Sequence, residues 1–213
     1  MGLFLAVSAV SCDSASKVAG VIAEHASRNG VAWSKAPPDQ VNEESDAAIH
    51  ASMGGWVVIV WPNYFTQDAS LAETLSRGLG TVASTVHVYD GDYWSHLLFD
   101  SGRLIDRFAS DPDYFAESRE DRERLQREWR GDPRLVAAAV GVQPETLARY
   151  LEGEQASGKA YTDDEFDLDD VWVFVDFWRR MGIAYPSDSA RPEHVIRLMP
   201  GWEKRLPSGD YEL

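Results

Sequence analysis

Ten consecutive residues, 87 to 96, carry the densest group of side chains that could do chemistry. The stretch HVYDGDYWSH contains two histidines and two aspartates among aromatic residues. Imidazole and carboxylate groups bind zinc and also act in general acid–base catalysis. The same letters fit a β-hairpin, because Asp90-Gly91 favours the positive φ angles of a tight turn. The sequence therefore predicts a hairpin here, and a site on that hairpin is a hypothesis.

The alternation of side chains along a strand decides which hairpin residues could act together. Asp92, Trp94 and His96 share one face of their strand, and a tight turn would let His87 approach them from the partner strand. We take Trp94, His96, Asp92 and His87 as candidate binding residues. A zinc site needs three or four converging ligands, and we expect His87, Asp92, His96 and Asp106 to be dispersed. No metal, cofactor or catalytic residue is predicted.

Apolar runs and turn residues around this hairpin predict the elements that position it. The run from Leu3 to Val10 is typical of a buried central strand. The remaining predictions for the first half are a helix over 15–28 capped by Asp13 or Ser14, a weak strand near 31–34, a strand within 54–62, a helix capped by Asp68, and three antiparallel strands over 84–90, 93–99 and 103–108.

This order of elements indicates an α+β fold. It resembles a ferredoxin-like or related α/β sandwich (β-α-β-β-α-β plus an antiparallel meander) in element order only, and such folds host many functions. Beyond residue 108 the composition becomes charge-dense and helical. We therefore predict a sandwich domain over 1–110, with 111–213 as a mainly helical C-terminal appendage packed on it or continuous with it.

The apolar helix VWVFVDFWRRMG, which begins at Val171, has more than one apolar side. Phe174 and Trp178 lie on one helical stripe, whereas Trp172 and Phe177 point elsewhere. We expect Phe174 and Trp178 to pack on the N-terminal core, and Trp172 or Phe177 to line a pocket or a partner surface. Trp172 and Phe177 join the candidate binding residues.

Two further motifs resemble known binding motifs, one for calcium and one for DNA, but neither predicts a site. DDEFDLDD, residues 163–170, resembles the start of an EF-hand calcium loop but has Leu168 where the loop needs glycine, so its acidic residues serve better as helix caps. Residues 134–152 have the spacing of a helix-turn-helix. The outward residues of its second helix include Glu145 and Glu152, which match phosphates poorly, so this alternative is disfavoured.

Composition narrows the class of function. The chain of 213 residues has a net charge of −15, which disfavours nucleic acids and anionic membranes as partners. Cys12 is the single cysteine, which is typical of a cytoplasmic protein. We predict a small acidic binding or accessory protein that neutralises or regulates a protein partner, in the manner of an immunity protein, or binds a small molecule. The alternative is an enzyme or metal-dependent catalyst that uses the 87–96 hairpin face, and the oligomeric state is left open.

Overall fold

The computed structural model describes residues 2–153 and 157–207. Within them the strands are β1 (Leu5–Ser11), β2 (Trp33–Ala36), β3 (Asp46–Ile49), β4 (Trp56–Val60), β5 (Val82–Tyr89), β6 (Tyr93–Asp100), β7 (Arg103–Ala109) and β8 (His194–Leu198). The α-helices are α1 (Ala15–Arg28), α2 (Asp68–Leu79), α3 (Arg119–Glu128), α4 (Pro133–Val140) and α5 (Val173–Arg180). Short 3₁₀ turns occur at Pro144–Thr146, Ala148–Leu151 and Trp202–Lys204.

The described strands form one open antiparallel sheet of eight strands in the order β2-β8-β3-β4-β1-β5-β6-β7. The apolar strands β1 and β4 lie at its centre, and the interior of β1 is buried on both faces. Full burial explains why the sequence of β1 does not alternate between apolar and polar residues. The predicted α+β class is therefore confirmed.

Helices cover both faces of the sheet. On one face, Val18 and Ile22 of α1 and Leu71 and Leu75 of α2 form a single apolar core with the strands. On the other face, α4 and α5 contribute to a second apolar core through Val136, Phe174, Phe177 and Trp178, among others. An apolar helix stripe must be buried against another element. The result is a three-layer arrangement with the sheet in the middle.

The C-terminal half supplies a strand as well as helices, which differs from the predicted helical appendage. β8 lies between β2 and β3 and pairs with both, so the last part of the chain is built into the same sheet as the first part. Strand β8 has only five residues, HVIRL. Its pairing depends on edges that were formed by strands about 150 residues earlier in the sequence, and no local pattern encodes that.

The second helix of the helix-turn-helix alternative is also absent. α4 begins at Pro133 after the Asp132 cap and ends at Gly141, as the sequence predicts. The following residues form only short 3₁₀ turns. Leu147, at their junction, is fully buried, because this segment packs over α5. No helix in the described ranges has the length and apolar character needed to cross a membrane.

Helix α5 is buried more completely than the sequence suggests. Phe174 and Trp178 are fully buried, as expected, and Trp178 Nε1 donates a hydrogen bond of 2.9 Å to Ser84 Oγ of β5. Phe177 is also fully buried, so the expectation that it lines a pocket or partner surface is wrong. The ring of Tyr150 covers it, with the two ring centroids 5.8 Å apart. Trp172 is half-buried and stacks on Phe174.

We predict that truncating Trp178 and truncating Trp172 affect stability very differently. Trp178→Ala opens a cavity in the core and leaves Ser84 without its donor, so it should lower the free energy of unfolding by about 3–5 kcal/mol. Trp172→Ala is the matched control and should cost much less, because its ring already contacts solvent. Urea unfolding of both variants measures the difference. Equal and large losses would mean that both rings are core.

Candidate functional site

The hairpin places its two histidines on opposite faces of the sheet. Tyr89 pairs with Tyr93, so the turn contains three residues and His87 faces Ser95 across the ladder, while His96 faces Val86. His87 therefore points to the side of α1 and α2, and His96 to the side of α5. A zinc site that uses both histidines does not form. In the described ranges no group of three or more His, Cys, Asp or Glu residues could hold a metal ion.

His96 and Trp94 are core residues. His96 has no exposed surface, and its Nε2 lies 2.9 Å from Ser84 Oγ. Burial lowers the pKa of His96 to about 3, so its ring stays neutral. Trp94 is also buried, between Phe108 and Phe177, with ring centroids at 5.0 and 5.6 Å. Neither side chain reaches a surface where a partner could contact it, which corrects the expectation that they bind one.

His87 belongs to a hydrogen-bonded chain on the other face. Its Nδ1 lies 3.3 Å from Asp68 Oδ1, at the first residue of α2. The other oxygen, Asp68 Oδ2, accepts a hydrogen bond of 2.9 Å from Thr85 Oγ1. Thr85 in turn accepts from Ser8 Oγ at 2.8 Å, and Ser8 accepts from Trp61 Nε1 at 2.8 Å. Thr85 Oγ1 also lies 3.0 Å from the backbone carbonyl oxygen of Val7, a second acceptor for the same hydroxyl. The chain of hydrogen bonds thus connects Trp61 and β1 to the Asp68 carboxylate.

Asp68 therefore does not cap α2 in the way the sequence predicts. Gln67 occupies the cap position without a side-chain hydrogen bond, and Asp68 begins the helix with a buried carboxylate. Burial lowers the pKa of His87, but the hydrogen bond and the charge of Asp68 outweigh burial and raise the pKa above its usual value. The His87 side chain is 21% exposed, so its ring reaches solvent while Asp68 orients it.

A cluster of aromatic rings covers the end of the hairpin beside His87. We call it the tip surface and define it by Phe4, Tyr64, Tyr89, Tyr114 and Phe115. Tyr89 is its centre, with ring centroids 5.0 Å from Phe4, 5.1 Å from Phe115 and 5.8 Å from Tyr114. Tyr93 is buried beneath them, and its ring centroid lies 5.0 Å from that of Tyr114. The cluster is a packed group of rings and not a set of isolated side chains.

Three of these rings are open to solvent: Tyr64 is 57% exposed, Phe115 44% and Tyr114 38%. Tyr64 also has a φ of +59°, a left-handed conformation that costs a residue with a side chain about 1–2 kcal/mol. Its ring contacts Phe4 at 4.9 Å. The loop between β4 and α2 thus holds Tyr64 in a strained conformation that leaves most of its surface open to solvent.

Carboxylates border the tip surface. Asp90 and Asp92 are exposed in the hairpin turn, and the Tyr114 hydroxyl donates a hydrogen bond of 2.7 Å to Asp92 Oδ2. That hydrogen bond, together with the nearby negative charges, raises the pKa of Tyr114 to about 12. Asp113 is paired with Arg122 at 2.7 Å. Asp90 and Asp92 have no salt-bridge partner among the described residues, so the turn presents net negative charge.

Among the candidate binding residues, the structure brings Asp92 and His87 to this end of the molecule and leaves Trp172 elsewhere, against Tyr185 on the opposite helical layer. Tyr64, Tyr114 and Phe115 are not among the residues that the sequence predicts. One local signal was available: Tyr114-Phe115 places two large aromatic residues side by side in an otherwise polar loop, ASDPDYFAES. Nothing in the sequence links that loop to Phe4 or Tyr64.

We predict that Asp68→Asn lowers the pKa of His87, because the neutral amide removes the charge that favours the imidazolium. An NMR titration of the His87 ring in the wild type and the variant measures this. The folded-state pKa lies above the usual 6.5. The pair therefore stabilises the fold fully below that value and progressively less as pH rises through the raised pKa.

Asp92→Asn serves as the control for that titration, since it removes a nearby charge that does not contact His87. It should leave the pKa of His87 almost unchanged. If Asp68→Asn leaves the pKa where the wild type has it, the pairing of Asp68 with His87 is not the cause of the shift.

Comparison with known proteins adds no functional information, because no protein-family model, curated protein or solved structure matches the chain. Function has to be inferred from the geometry of the tip surface and of the His87–Asp68 pair.

Proposed function

We propose that this protein binds a positively charged protein partner through the tip surface, and that it neutralises or regulates that partner. One observation carries the proposal: three exposed aromatic side chains lie in a single packed cluster, directly beside two hairpin-turn carboxylates that form no salt bridge within the described residues. Large apolar side chains that are exposed singly need no explanation, but a contiguous exposed group is typical of an interaction site.

The rings have the properties of binding anchors. Tyrosine and phenylalanine bury a large area and lose little rotational freedom, so they often supply most of the binding energy of an interface. Here neighbouring rings restrict them before any partner arrives: Tyr114 contacts Phe115 at 4.9 Å, and both contact Tyr89. A surface that is already ordered has less conformational entropy to lose on binding.

The charges around the rings favour a basic partner. Asp90 and Asp92 lie at the rim of the cluster, and the net charge of −15 adds an attraction for cationic surfaces that is strongest at low salt. A second copy of this chain is a poor occupant, because a symmetric contact would bring the two acidic turns together. The same charges repel nucleic-acid phosphates. We place this function in the cytoplasm, because the chain has a single cysteine and therefore no internal disulfide bond of the kind that is common in oxidising compartments.

A second candidate function is acid–base chemistry on the hairpin face, which the His87–Asp68 pair favours. A buried carboxylate that binds Nδ1 of a histidine leaves Nε2 as the acceptor, which is how many enzymes orient a general base. Ser95 lies opposite His87 in the ladder, but no hydrogen bond joins the two side chains. The pair orients a base without placing a nucleophile against it, so we rank binding first.

We also infer that the central part of the sheet corresponds to the ferredoxin-like arrangement. The order β3-β4-β1-β5, with α1 and α2 on one face, is supported by the antiparallel pairings of these four strands. Strands β2 and β8 extend it on one side, and β6 and β7 extend it on the other. The extension by β6 and β7 carries the hairpin, and with it the tip surface.

We predict that the double variant Tyr64→Ala/Phe115→Ala loses the partner. Quantitative affinity purification compares proteins retained by the wild type, by this variant and by a control, Met53→Ala/Leu135→Ala. The control removes two other exposed apolar side chains, outside the tip surface. A basic protein should be retained by the wild type and the control but reduced at least tenfold on the tip variant, since interface hot spots commonly contribute about 2 kcal/mol or more each.

The predicted partner should also dissociate more readily in high salt, because part of its attraction is electrostatic. Asp90→Asn/Asp92→Asn should weaken binding mainly by slowing association. If the basic proteins retained by the wild type are retained equally by the tip variant, the tip surface is not the binding site. His87→Ala should leave retention unchanged if binding and acid–base chemistry are separate properties.

A further inference from the structure

A groove runs along the edge of the sheet that is formed by β7, three strands away from the central strand β1. The C-terminal end of this edge strand is covered by the residues that follow α3. Phe108 forms an antiparallel β-bridge with Arg130, and Ala109 N donates a hydrogen bond of 3.0 Å to Trp129 O. Towards the start of β7, residues 104–107 line an open groove of about 330 Å³, whose other wall is formed by residues 127, 128 and 130–132. A larger groove adjoins it at Arg130, Gly131 and Asp132.

The floor of this groove contains a buried carboxyl group with an unused oxygen. Asp106 is 7% exposed, and its Oδ1 accepts a hydrogen bond of 2.8 Å from Asp132 N. Its Oδ2 is buried and has no hydrogen-bond partner. Leaving a buried polar atom without a partner costs free energy, so such atoms often mark the place of a ligand.

The charged walls of the groove are receptive to an anion. Its carboxylates are already engaged: Glu128 pairs with Arg107 at 3.4 Å, and Asp132 caps α4 through Arg134 N at 2.8 Å. Arg127 and Arg130 are exposed, and neither contacts a carboxylate within the described ranges.

We propose that this groove binds the oxyanion group of a small organic anion, a phosphate or a carboxylate, between the guanidinium groups of Arg127 and Arg130 and the carboxyl group of Asp106. Guanidinium groups bind such oxyanions through paired, charge-assisted hydrogen bonds. In its neutral form Asp106 donates a hydrogen bond from Oδ2 and so completes the set of donors. This site is independent of the tip surface.

The protonation of Asp106 controls this site. Burial raises the pKa of Asp106 to about 7 and outweighs the hydrogen bond from Asp132 N, which favours the charged form; the negative charge of Asp132 raises the pKa further. Near neutral pH the group therefore changes from a hydrogen-bond donor to an anion that repels the ligand. The charged groups that line the groove with Asp106 are Arg107, Arg127, Glu128, Arg130 and Asp132.

Sulfate is a suitable probe, because it presents the same oxygens and does not titrate near neutral pH. We expect sulfate to shift the NMR amide signals of Gly131 and Asp132 in a saturable manner. Its affinity should fall roughly tenfold between about pH 6 and pH 8.5, as Asp106 loses its proton. Arg127→Ala/Arg130→Ala should weaken sulfate binding at least tenfold. Arg191→Ala, which removes an exposed arginine outside the groove, should have no effect.

Asp106→Asn separates the role of the proton from that of the fold. The amide keeps the acceptor for Asp132 N and permanently supplies a donor, so this variant should bind sulfate with little pH dependence. Phenylphosphonate and benzoate then compete against sulfate, and the stronger competitor identifies phosphate or carboxylate as the natural group. The proposal is wrong if sulfate causes no saturable shift of the amide signals, or if neither competitor displaces it. It is also wrong if Arg191→Ala weakens sulfate binding as much as the double variant does. Retention of the wild-type pH dependence by Asp106→Asn would likewise contradict it.

Discussion

Two adjacent hydroxyl residues of β5, Ser84 and Thr85, join the sheet to both helical layers. Neighbouring side chains of a strand point to opposite faces. Thr85 therefore bonds Asp68 at the start of α2, while Ser84 accepts from Trp178 of α5 on the other face. All these groups are buried, and breaking one such bond leaves a polar atom unpaired at a cost of about 1–3 kcal/mol. The two layers are thus fixed in one position relative to β5.

The candidate site depends on this constraint. Because Thr85 fixes Asp68, the first turn of α2 lies beside His87, two residues further along β5. The loop that leads into α2 is fixed at the same point, and it holds Tyr64 against Phe4. Tyr89 follows on the same face of β5 and forms the centre of the tip surface. A single strand therefore provides the structural bonds, the oriented histidine and the aromatic centre in six residues.

Local patterns predicted the elements well and their register poorly. Asp90-Gly91 does mark the hairpin, and both residues have positive φ. A two-residue turn would have paired His87 with Trp94, but the turn has three residues, and His87 pairs with Ser95. A shift of one residue moves every side chain of a strand to the other face. That single residue separates the two histidines, and the dipeptide signal does not determine it.

Burial in a second layer was equally hard to predict from local pattern. Phe177 points away from the stripe of Phe174 and Trp178, so a helix considered alone leaves it open. The 3₁₀ segment around Tyr150 covers it, and the position of that segment is a tertiary property. The tip surface shows the opposite case: Phe4, Tyr64, Tyr89 and Phe115 come from four separate segments, and only the assembled fold makes them one surface.

The net charge of the whole chain likewise does not determine the local charge at each surface. The value of −15 favours cationic partners on average, and it agrees with Asp90 and Asp92 at the tip, which form no salt bridge with any described residue. At the edge of β7 the local arrangement differs, because Glu128 pairs with Arg107 and Asp132 accepts a hydrogen bond from Arg134 N, whereas Arg127 and Arg130 contact no carboxylate in the part of the chain that the structure describes. Fields from distant charges are screened within about 10 Å at moderate salt. An anion in that groove therefore interacts mainly with the nearest guanidinium groups, and an acidic protein can hold an anion where its own carboxylates are occupied.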